Sequence, residues 1–371
     1  MRLIIVITIL LSVFAVLNLY IVKRFINKLD IKDKYKKYFK IFLLINYIAT
    51  IGYMYAKFNP DIPIWLFFLF SVPLGIVFLL FCTAILYDLS HLIIKKVPLS
   101  TNRREFFKKS LDYASLGVAV TVTGRALYEA KFIELEDVDI KIKNLKQSYS
   151  IVQLSDVHIG GLIDQKFIKD VVKRVNALNP DIVVITGDLV DTALNLAMPA
   201  LRELKNLKTK YGTYFIVGNH EYLHGIDGII KAVNDQGIKT LENENVYIGE
   251  EGKGFSLAGV YDVAGYYNEY YVPNLNKALY NIDKNEPIVL LAHQPRFIDE
   301  VPNDVDLVLS GHTHGGQLYP FKVLVKMVQP YIAGLYKHSD NTQIYVNKGT
   351  GFWGPPMRLG ASSEITYIKL S

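Results

Sequence analysis

The stretch "YSIVQLSDVHIG" at residues 149–160 is an apolar run that ends in a polar cluster, and this pattern recurs through the second half of the chain. Four similar runs follow: "DIVVITGD" (181–188), "TYFIVGNH" (213–220), "PIVLLAHQ" (287–294) and "VDLVLSGH" (305–312). Short apolar runs rich in β-branched residues are typical of buried strands. Helical patterns lie between them, at 165–178, 197–208, 228–236 and 275–281. The alternation predicts an α/β domain.

Side chains that can bind a metal follow each of the five predicted strands. They are Asp156 and His158; Asp188 and Asp191; Asn219, His220 and Glu221; His293; and His312 and His314. In α/β folds, ligands bind at the carboxyl ends of the strands. Several carboxylates and imidazoles buried in one place without a cation would be costly in free energy. The sequence therefore predicts a metal centre at these strand ends.

The number and type of these side chains predict two ions. They exceed the ligands that one ion takes, whereas two ions about 3.5–4 Å apart can share a carboxylate. A mixed imidazole, carboxylate and amide set suits Mn, Fe or Zn and is too rich in nitrogen for Ca²⁺. The single cysteine, Cys82, lies in an apolar segment, which excludes a disulfide and a thiolate site in the second half. We expect two divalent metal ions of undetermined identity.

The five polar clusters also resemble a known family. "SDVHIG", "ITGDLVD", "GNHEY", "LLAHQP" and "SGHTHGGQ", in this order, resemble the calcineurin-like metallophosphoesterases over residues 132–371. The tail "YVNKGTGFWGPPMRLGASSEITYIKL" and the apolar segments in front resemble the membrane-anchored branch, which includes YkuE-like and transmembrane metallophosphoesterases. The resemblance implies a fold of mixed α+β or α/β class, a calcineurin-like four-layer β-sandwich flanked by helices. An N-terminal helical membrane region would precede it.

The resemblance also assigns roles to residues. It implies that the first metal is bound by Asp156, His158, Asp188 and His314, and the second by Asp188, Asn219, His293 and His312. Asp188 would bridge the two ions. His220 is not a ligand in the family but faces the phosphate, and Asp191 matches the aspartate that orients such a histidine. Asp191 is alternatively a helix cap.

The expected function is a membrane-anchored dinuclear-metal phosphohydrolase that cleaves a phosphoester or pyrophosphate bond by metal-activated hydroxide. An imidazolium at His220 would stabilise developing charge or protonate the leaving group. A phosphoester, including that of a lipid or envelope precursor, is the expected substrate. The alternatives are a metal-binding sensor or scaffold without turnover, and a nuclease. We expect no nucleic-acid partner, because many of the basic residues behind the net charge of +6 flank apolar segments.

The first half of the chain predicts a membrane region over residues 1–130, ahead of a metallophosphoesterase domain at 131–371. Segments 3–22, 41–58 and 62–87 are apolar, and a spanning helix needs about 20 such residues. Segment 110–129 is a weaker candidate for a fourth helix. A cleavable signal peptide is the alternative for the first segment, but no small-residue cleavage site follows it.

Charge distribution predicts a multi-pass protein of the cell membrane with its catalytic domain on the extracytoplasmic side. The linker at 23–40 holds eight Lys/Arg against two Asp, and basic linkers remain in the cytoplasm. Residues 103–130 resemble a twin-arginine export signal or a plain membrane helix, and either would cross the membrane. If this segment instead lies flat, the domain is cytoplasmic.

Two further stretches suggest contact with lipid. "VYDVAGYYNEYYVP" (260–273) and "LYPFKVLVKMVQPYIAGLYK" (318–337) combine tyrosines and aliphatic residues, the second with interleaved lysines. They are interpreted either as an apolar, basic rim that rests on the bilayer or as ordinary core packing. The chain departs from the expected pattern of the branch at Asn347 and Lys348, where serine and arginine are expected. The presence of lysine instead of arginine at position 348 is expected to alter substrate preference.

Overall fold

The computed structural model describes residues 2–57, 59 and 62–371. The chain forms two compact units. The first unit is Met1–Glu129 with Gly354–Leu359, and the second is Ala130–Trp353 with Gly360–Ser371. The grouping of 354–359 with the N-terminal helices was not expected from the sequence, because a residue's contacts depend on the tertiary fold and not on its neighbours in the chain.

Long helices build the first unit. They are α1 (Arg2–Arg24), α2 (Asp33–Lys57), α3 (Ile64–Lys96) and α4 (Thr101–Glu129). In the described residues three helices are long and apolar enough to cross a membrane, at Ile7–Lys28, Asp33–Lys57 and Ile64–Lys96. Helix α4 is not among them, so membrane crossing by residues 110–129 stays a prediction. The last residue of the predicted segment 41–58 lies outside the described residues.

Two buried carboxylates join the helices of the first unit. Asp88 on α3 accepts hydrogen bonds from Arg24 Nη2 at 2.5 Å and Lys28 Nζ at 2.6 Å. Asp112 on α4 accepts from the Asp30 backbone N–H at 2.8 Å and the Tyr87 hydroxyl at 2.7 Å. Because a buried carboxylate is costly unless it is paired, these bonds fix α3 and α4 against the C-terminal end of α1 and the segment that follows it.

The second unit holds two six-stranded sheets. Its strands are β1 (Ile133–Ile140), β2 (Tyr149–Leu154), β3 (Ile182–Thr186), β4 (Thr213–Ile216), β5 (Lys239–Thr240), β6 (Glu244–Ile248), β7 (Phe255–Gly259), β8 (Ile288–Leu291), β9 (Leu307–Ser310), β10 (Gly334–Lys337), β11 (Gln343–Val346) and β12 (Ser363–Leu370). The first sheet has the order β1-β12-β2-β3-β4-β5 and the second β10-β11-β9-β8-β7-β6. The five strands predicted to precede polar clusters are β2, β3, β4, β8 and β9.

Seven helices complete the second unit. They are α5 (Gln165–Ala177), α6 (Leu194–Leu201), α7 (Asn219–His224), α8 (Ile226–Asn234), α9 (Ala264–Asn268), α10 (Leu275–Ala278) and α11 (Lys322–Val325). Helix α5 shows why the sequence forms such a helix. Ile168, Val171, Val172 and Val175 recur at helical spacing and are all buried, and Asp164 caps the first turn by accepting the Phe167 N–H.

The two sheets pack face to face, and helices cover their outer faces. Alternate residues of β3 point to opposite sides, as strand geometry requires. Ile182 and Val184 pack between the sheets in one core with Leu307 and Leu309. Val183 and Ile185 pack instead on the side of α5, α6 and α8. A third core lies beneath α10 and the turn Pro295–Glu300. The expected four-layer arrangement is confirmed.

Parallel pairing brings the polar clusters to one edge. Strands β2, β3 and β4 are parallel neighbours in the first sheet, and β7, β8 and β9 are parallel neighbours in the second. Parallel strands have their carboxyl ends on the same side of a sheet. The segments after β2, β3, β4, β8 and β9 are therefore the natural place for a site.

The packing between the sheets predicts a large effect of one truncation. Leu309 is fully buried there, so Leu309→Ala is expected to lower the free energy of unfolding by about 2–5 kcal/mol. That loss corresponds to a fall in Tm of about 4–20 °C for a unit of this size. The measurement is thermal unfolding of the full chain in detergent, followed by Trp353 fluorescence in a Trp65→Phe background. Leu135→Ala, on the exposed face of β1, is the matched control, and equal shifts would contradict the packing.

Candidate metal centre

The backbone after the strands has an unusual conformation. Five residues of the polar clusters have left-handed dihedral angles: Asp156 (φ 49°), His158 (φ 54°), Asp188 (φ 50°), His312 (φ 68°) and His314 (φ 50°). Residues other than glycine rarely adopt positive φ, and such conformations concentrate at functional sites. The concentration of strain at these positions indicates that the fold holds their side chains in a required geometry.

Two glycines allow the segments to approach closely. A Cβ at Gly311 would lie 1.8 Å from Ser155 Oγ and 2.3 Å from an oxygen of Asp156. A Cβ at Gly218 would lie 2.3 Å from an oxygen of Asp188. Neither position has room for a side chain. The loops after β9 and β4 can therefore pack directly on the two carboxylates.

Asp156, His158 and His314 form the first group of facing ligand atoms. These atoms lie within 4.8 Å of one another. His158 Nε2 is 3.0 Å from His314 Nε2, and His314 Nε2 is 3.5 Å from Asp156 Oδ1. The other oxygen of Asp156 accepts hydrogen bonds from the Ser155 hydroxyl and the His312 backbone N–H. One carboxylate oxygen and two imidazole nitrogens are thus directed to one point.

Asp188, His293 and His312 form the second group. His293 Nε2 is 3.2 Å from Asp188 Oδ2 and 3.3 Å from the Asn219 side-chain oxygen. His293 Nδ1 is 2.7 Å from the Thr186 carbonyl oxygen. Because a carbonyl oxygen can only accept a hydrogen bond, Nδ1 of His293 carries the proton, and Nε2 is left to bind a metal.

Asp188 lies between the two groups. Its Oδ2 is 3.9 Å from His158 Nε2 in the first group and 3.2 Å from His293 Nε2 in the second. Its Oδ1 accepts the backbone N–H of His220 at 2.8 Å. The seven predicted ligands are therefore brought together, with Asp188 in the middle. Their assignment to individual metals stays a prediction.

The donor set fits divalent cations. Asp156 Oδ1 is buried, and within the described part of the chain it has no hydrogen-bond partner. Two imidazole nitrogens that face each other at 3.0 Å, beside a carboxylate oxygen, match the nitrogen and oxygen ligands of Mn, Fe and Zn sites. A cation at this point would satisfy all three atoms, whereas a proton can join only two.

The charges in the site influence one another strongly. Burial raises the pKa of Asp156 to about 6, with the nearby charge of Asp188 adding to the effect. Burial alone would also raise the pKa of Asp188, but the surrounding imidazoles of His293, His220 and His158 lower it well below its usual value. Asp188 is therefore the carboxylate that favours its ionised form, which suits its predicted role as the shared ligand.

His220 and Asp191 form a pair beside the two groups, and with His158 their ligand atoms make up a third group within 4.8 Å of one another. His220 Nδ1 lies 2.7 Å from Asp191 Oδ1, and His220 Nε2 lies 3.9 Å from Asp188 Oδ2. Sequence analysis predicted this pair but missed His224, whose Nε2 lies 3.1 Å from the same Asp191 oxygen. The spacing of four residues between the histidines was an available signal, because it places both on one face of α7. Two imidazoles therefore lie within hydrogen-bonding distance of Asp191 Oδ1.

Glu221 organises the loop after β3. Its buried carboxylate accepts backbone N–H groups of Gly218 at 2.6 Å, Leu189 at 2.8 Å, Val190 at 3.0 Å and Asp188 at 3.1 Å. Burial raises its pKa to about 7, with the charge of Asp188 as the second cause. The sequence places Glu221 in the cluster after β4 but indicates no role for it. It supports the backbone of a predicted ligand without lying in either group.

The two departures in the C-terminal tail have structural roles. Lys348 Nζ lies 2.5 Å from Glu136 and 3.0 Å from the buried Glu364, so its charge is paired inside the unit. Asn347 is fully buried and bonds to the Thr366 hydroxyl at 2.8 Å. The ammonium of Lys348 is therefore committed to two carboxylates, which argues against the expected effect of this residue on substrate preference.

The fold and the site define a class of protein: a two-sheet metal-dependent hydrolase whose predicted ligands are histidine, aspartate and asparagine side chains at its strand ends. A family model described as calcineurin-like phosphoesterase matches residues 149–316. An uncharacterized metallophosphoesterase of Helicobacter pylori is 36% identical over 354 residues, 94% of this chain and 92% of that protein. The chain belongs to the calcineurin-like phosphoesterase family and is a metal-dependent phosphoesterase, as predicted.

Other relatives extend the comparison. A transmembrane protein with metallophosphoesterase domain from Danio rerio is 38% identical over 246 residues, which are 63% of this chain and 56% of that protein. Among solved structures, a dimetal phosphatase from Danio rerio aligns with a TM-score of 0.38 and 12% identity, over 54% of this chain and 87% of that one.

The two groups predict a stoichiometry of metal binding. Purified protein is expected to retain about two ions per chain, and His312→Ala is expected to reduce this to about one, because it removes a nitrogen from one group only. Elemental analysis after dialysis against Mn²⁺ measures the ratio. His338→Ala, which removes an exposed imidazole outside the groups, is the control. An unchanged ratio in His312→Ala would refute the assignment.

Proposed function

We propose that the protein is a membrane-anchored dinuclear-metal phosphohydrolase that cleaves a phosphoester or pyrophosphate bond of a lipid or envelope precursor. The observation that carries the proposal is the pair of ligand groups joined by Asp188. Asp156, His158, Asp188 and His314 would hold one ion, and Asp188, Asn219, His293 and His312 the other. When bound, two such ions lower the pKa of a water molecule and neutralise phosphoryl oxygens.

His220 is the proposed catalytic residue. Its Nδ1 is hydrogen-bonded to Asp191 at 2.7 Å, which leaves Nε2 directed toward the ligand groups. A proton on Nε2 would stabilise charge on the phosphoryl group or be donated to the leaving oxygen. Asp191 keeps the ring in the required orientation and favours its charged form, because a carboxylate beside an imidazole stabilises the imidazolium. Asp191 is thus a positioning residue.

A substrate at the membrane is supported by the helices of the first unit. Three of them are long and apolar enough to span a bilayer, and relatives from Danio rerio and Bos taurus are named transmembrane proteins. An anchor confines the site to the vicinity of the interface, where lipid-linked phosphoesters are concentrated. This supports a lipid or envelope precursor over a freely diffusing substrate.

The catalytic proposal is tested by hydrolysis. Full-length protein in detergent is assayed with a chromogenic phosphodiester, a phosphomonoester and a lipid pyrophosphate, in the presence of Mn²⁺, Zn²⁺, Fe²⁺ or a chelator. We expect metal-dependent turnover that falls by about 10²–10⁴-fold in His220→Ala, because proton transfer is lost. Asp191→Asn is expected to lower kcat less, since the ring remains but loses its charged partner.

His338→Ala and Asp340→Asn make the same chemical changes at exposed positions and are expected to retain full activity. Protein that binds two ions and yet shows no turnover with any metal or substrate would contradict the enzymatic proposal. It would favour the sensor or scaffold alternative.

The proposed orientation has its own test. With residues 23–40 in the cytoplasm and residues 110–129 crossing the membrane, the C-terminus would lie outside. A reporter fused after Ser371 that is active only outside the cytoplasm is expected to give signal, while a reporter that fluoresces only in the cytoplasm is expected to stay dark. The opposite result would place the catalytic domain in the cytoplasm.

A further inference from the structure

One strip of the second unit exposes apolar side chains in succession. Residues 321–328, "FKVLVKMV", here named the 321–328 strip, include α11, of which no residue is buried. The exposed fractions of its apolar side chains are 43% for Phe321, 57% for Val323, 55% for Leu324, 77% for Met327 and 68% for Val328. Single exposed apolar residues are ordinary, but contiguous ones mark interaction surfaces. The strip contributes nothing to the core of its unit.

The charge of the strip favours an anionic partner. Lys322 and Lys326 are its only charged residues, and the chain has no Asp or Glu from residue 307 to 339. Within the described residues, neither lysine forms an ion pair. Exposed apolar side chains with interleaved lysines complement phospholipid, whose acyl chains accept the first and whose phosphates accept the second. A protein partner would have to present both an apolar surface and negative charges within one short segment.

The strip is fixed to the candidate metal centre at its start. A Cβ at Gly316 would lie 2.5 Å from the Cα of Lys322, so the backbone of the strip packs directly on Gly316. Gly316 is two residues after His314, a member of the first ligand group. The strip is therefore next to the site within the same unit.

Hydrogen bonds fix the other end of the strip. Gln329 is buried, and its side-chain oxygen accepts the Arg296 backbone N–H at 3.0 Å. The Arg296 guanidinium lies 5.9 Å from the ring centre of Tyr267, whose side chain is 73% exposed. These contacts connect the strip to α9, which lies in the other tyrosine-rich stretch of the sequence. An exposed aromatic with a polar tip is suited to the level of lipid headgroups.

We propose that the 321–328 strip is a lipid-contacting surface that rests on an anionic bilayer. Its apolar side chains enter the boundary between headgroups and acyl chains, while Lys322 and Lys326 bind lipid phosphates. Since the strip follows directly after the turn that carries His314, this contact holds that side of the site at the level of the headgroups. The consequence for substrate delivery rests on the proposed function, whereas the lipid contact does not.

Depth-dependent quenching tests the contact in the full chain. A fluorophore is attached at Met327→Cys or at Tyr280→Cys, in a Cys82→Ser background. Both positions are 77% exposed, so they form a matched pair. The labelled proteins are placed in nanodiscs of phosphatidylglycerol and brominated phosphatidylcholine at about 1:3. We expect the label at position 327 to be quenched at least about twofold more than the label at 280, because only the former enters the bilayer.

Two variants test the source of the contact. Lys322→Glu with Lys326→Glu is expected to reduce the quenching at position 327, and replacing phosphatidylglycerol by neutral lipid is expected to act in the same direction. Lys277→Glu with Lys284→Glu, near the control position, is expected to leave the quenching at position 327 unchanged.

Equal quenching at 327 and 280 would overturn the proposal. So would a label at 327 that is shielded from water in detergent and in nanodiscs alike without quenching by brominated lipid, because the strip would then be covered by the protein's own helices or by a second copy. Quenching does not require turnover, so a failure of the enzymatic proposal and a failure of the lipid contact give different results.

Discussion

The buried carboxylate of Asp188 is the constraint on which the centre depends. It lies between imidazoles contributed by strands of both sheets and accepts the backbone N–H of His220. A charge buried in this way is stable only with opposite charge or hydrogen bonds around it, and its lowered pKa shows that its neighbours supply them. Glu221 holds the backbone of residues 188–190 after β3 and of Gly218 after β4 by accepting four N–H groups. The position of Asp188 therefore depends on the loop after β3 and on the loop after β4.

The left-handed backbone of the candidate ligands has a related cause. Positive φ at Asp156, Asp188 and His312 costs free energy. This cost in free energy is offset by the packing of buried apolar side chains between the two sheets. Rigid sheets can impose strained loops because strand ends are fixed in space. The two-sheet core thus determines the geometry of side chains that contribute nothing to the core themselves.

Periodicity and residue type predicted the strands, the class of fold and the collection of Asp156, His158, Asp188 and the other polar side chains at one edge. Each of those features is local, because a strand and the residue after it are adjacent in the chain. The role of Glu221 and the pairing of Lys348 with Glu364 were not predictable, because they join residues distant in sequence. The left-handed backbone conformations could not be predicted from the sequence either, since aspartate and histidine adopt them only where the surrounding structure requires it.

The centre and the membrane region contribute separate properties. All the candidate ligands, His220, Asp191 and Glu221 belong to the second unit, as do the residues whose described hydrogen bonds orient His220 and His293. Under the proposed function, the helices would add confinement: they would keep the site near a membrane surface, where a lipid-linked substrate is concentrated and a soluble one is not. For a soluble phosphoester the proposed anchor would bring no advantage, so the anchor bears on the proposed substrate and not on the chemistry.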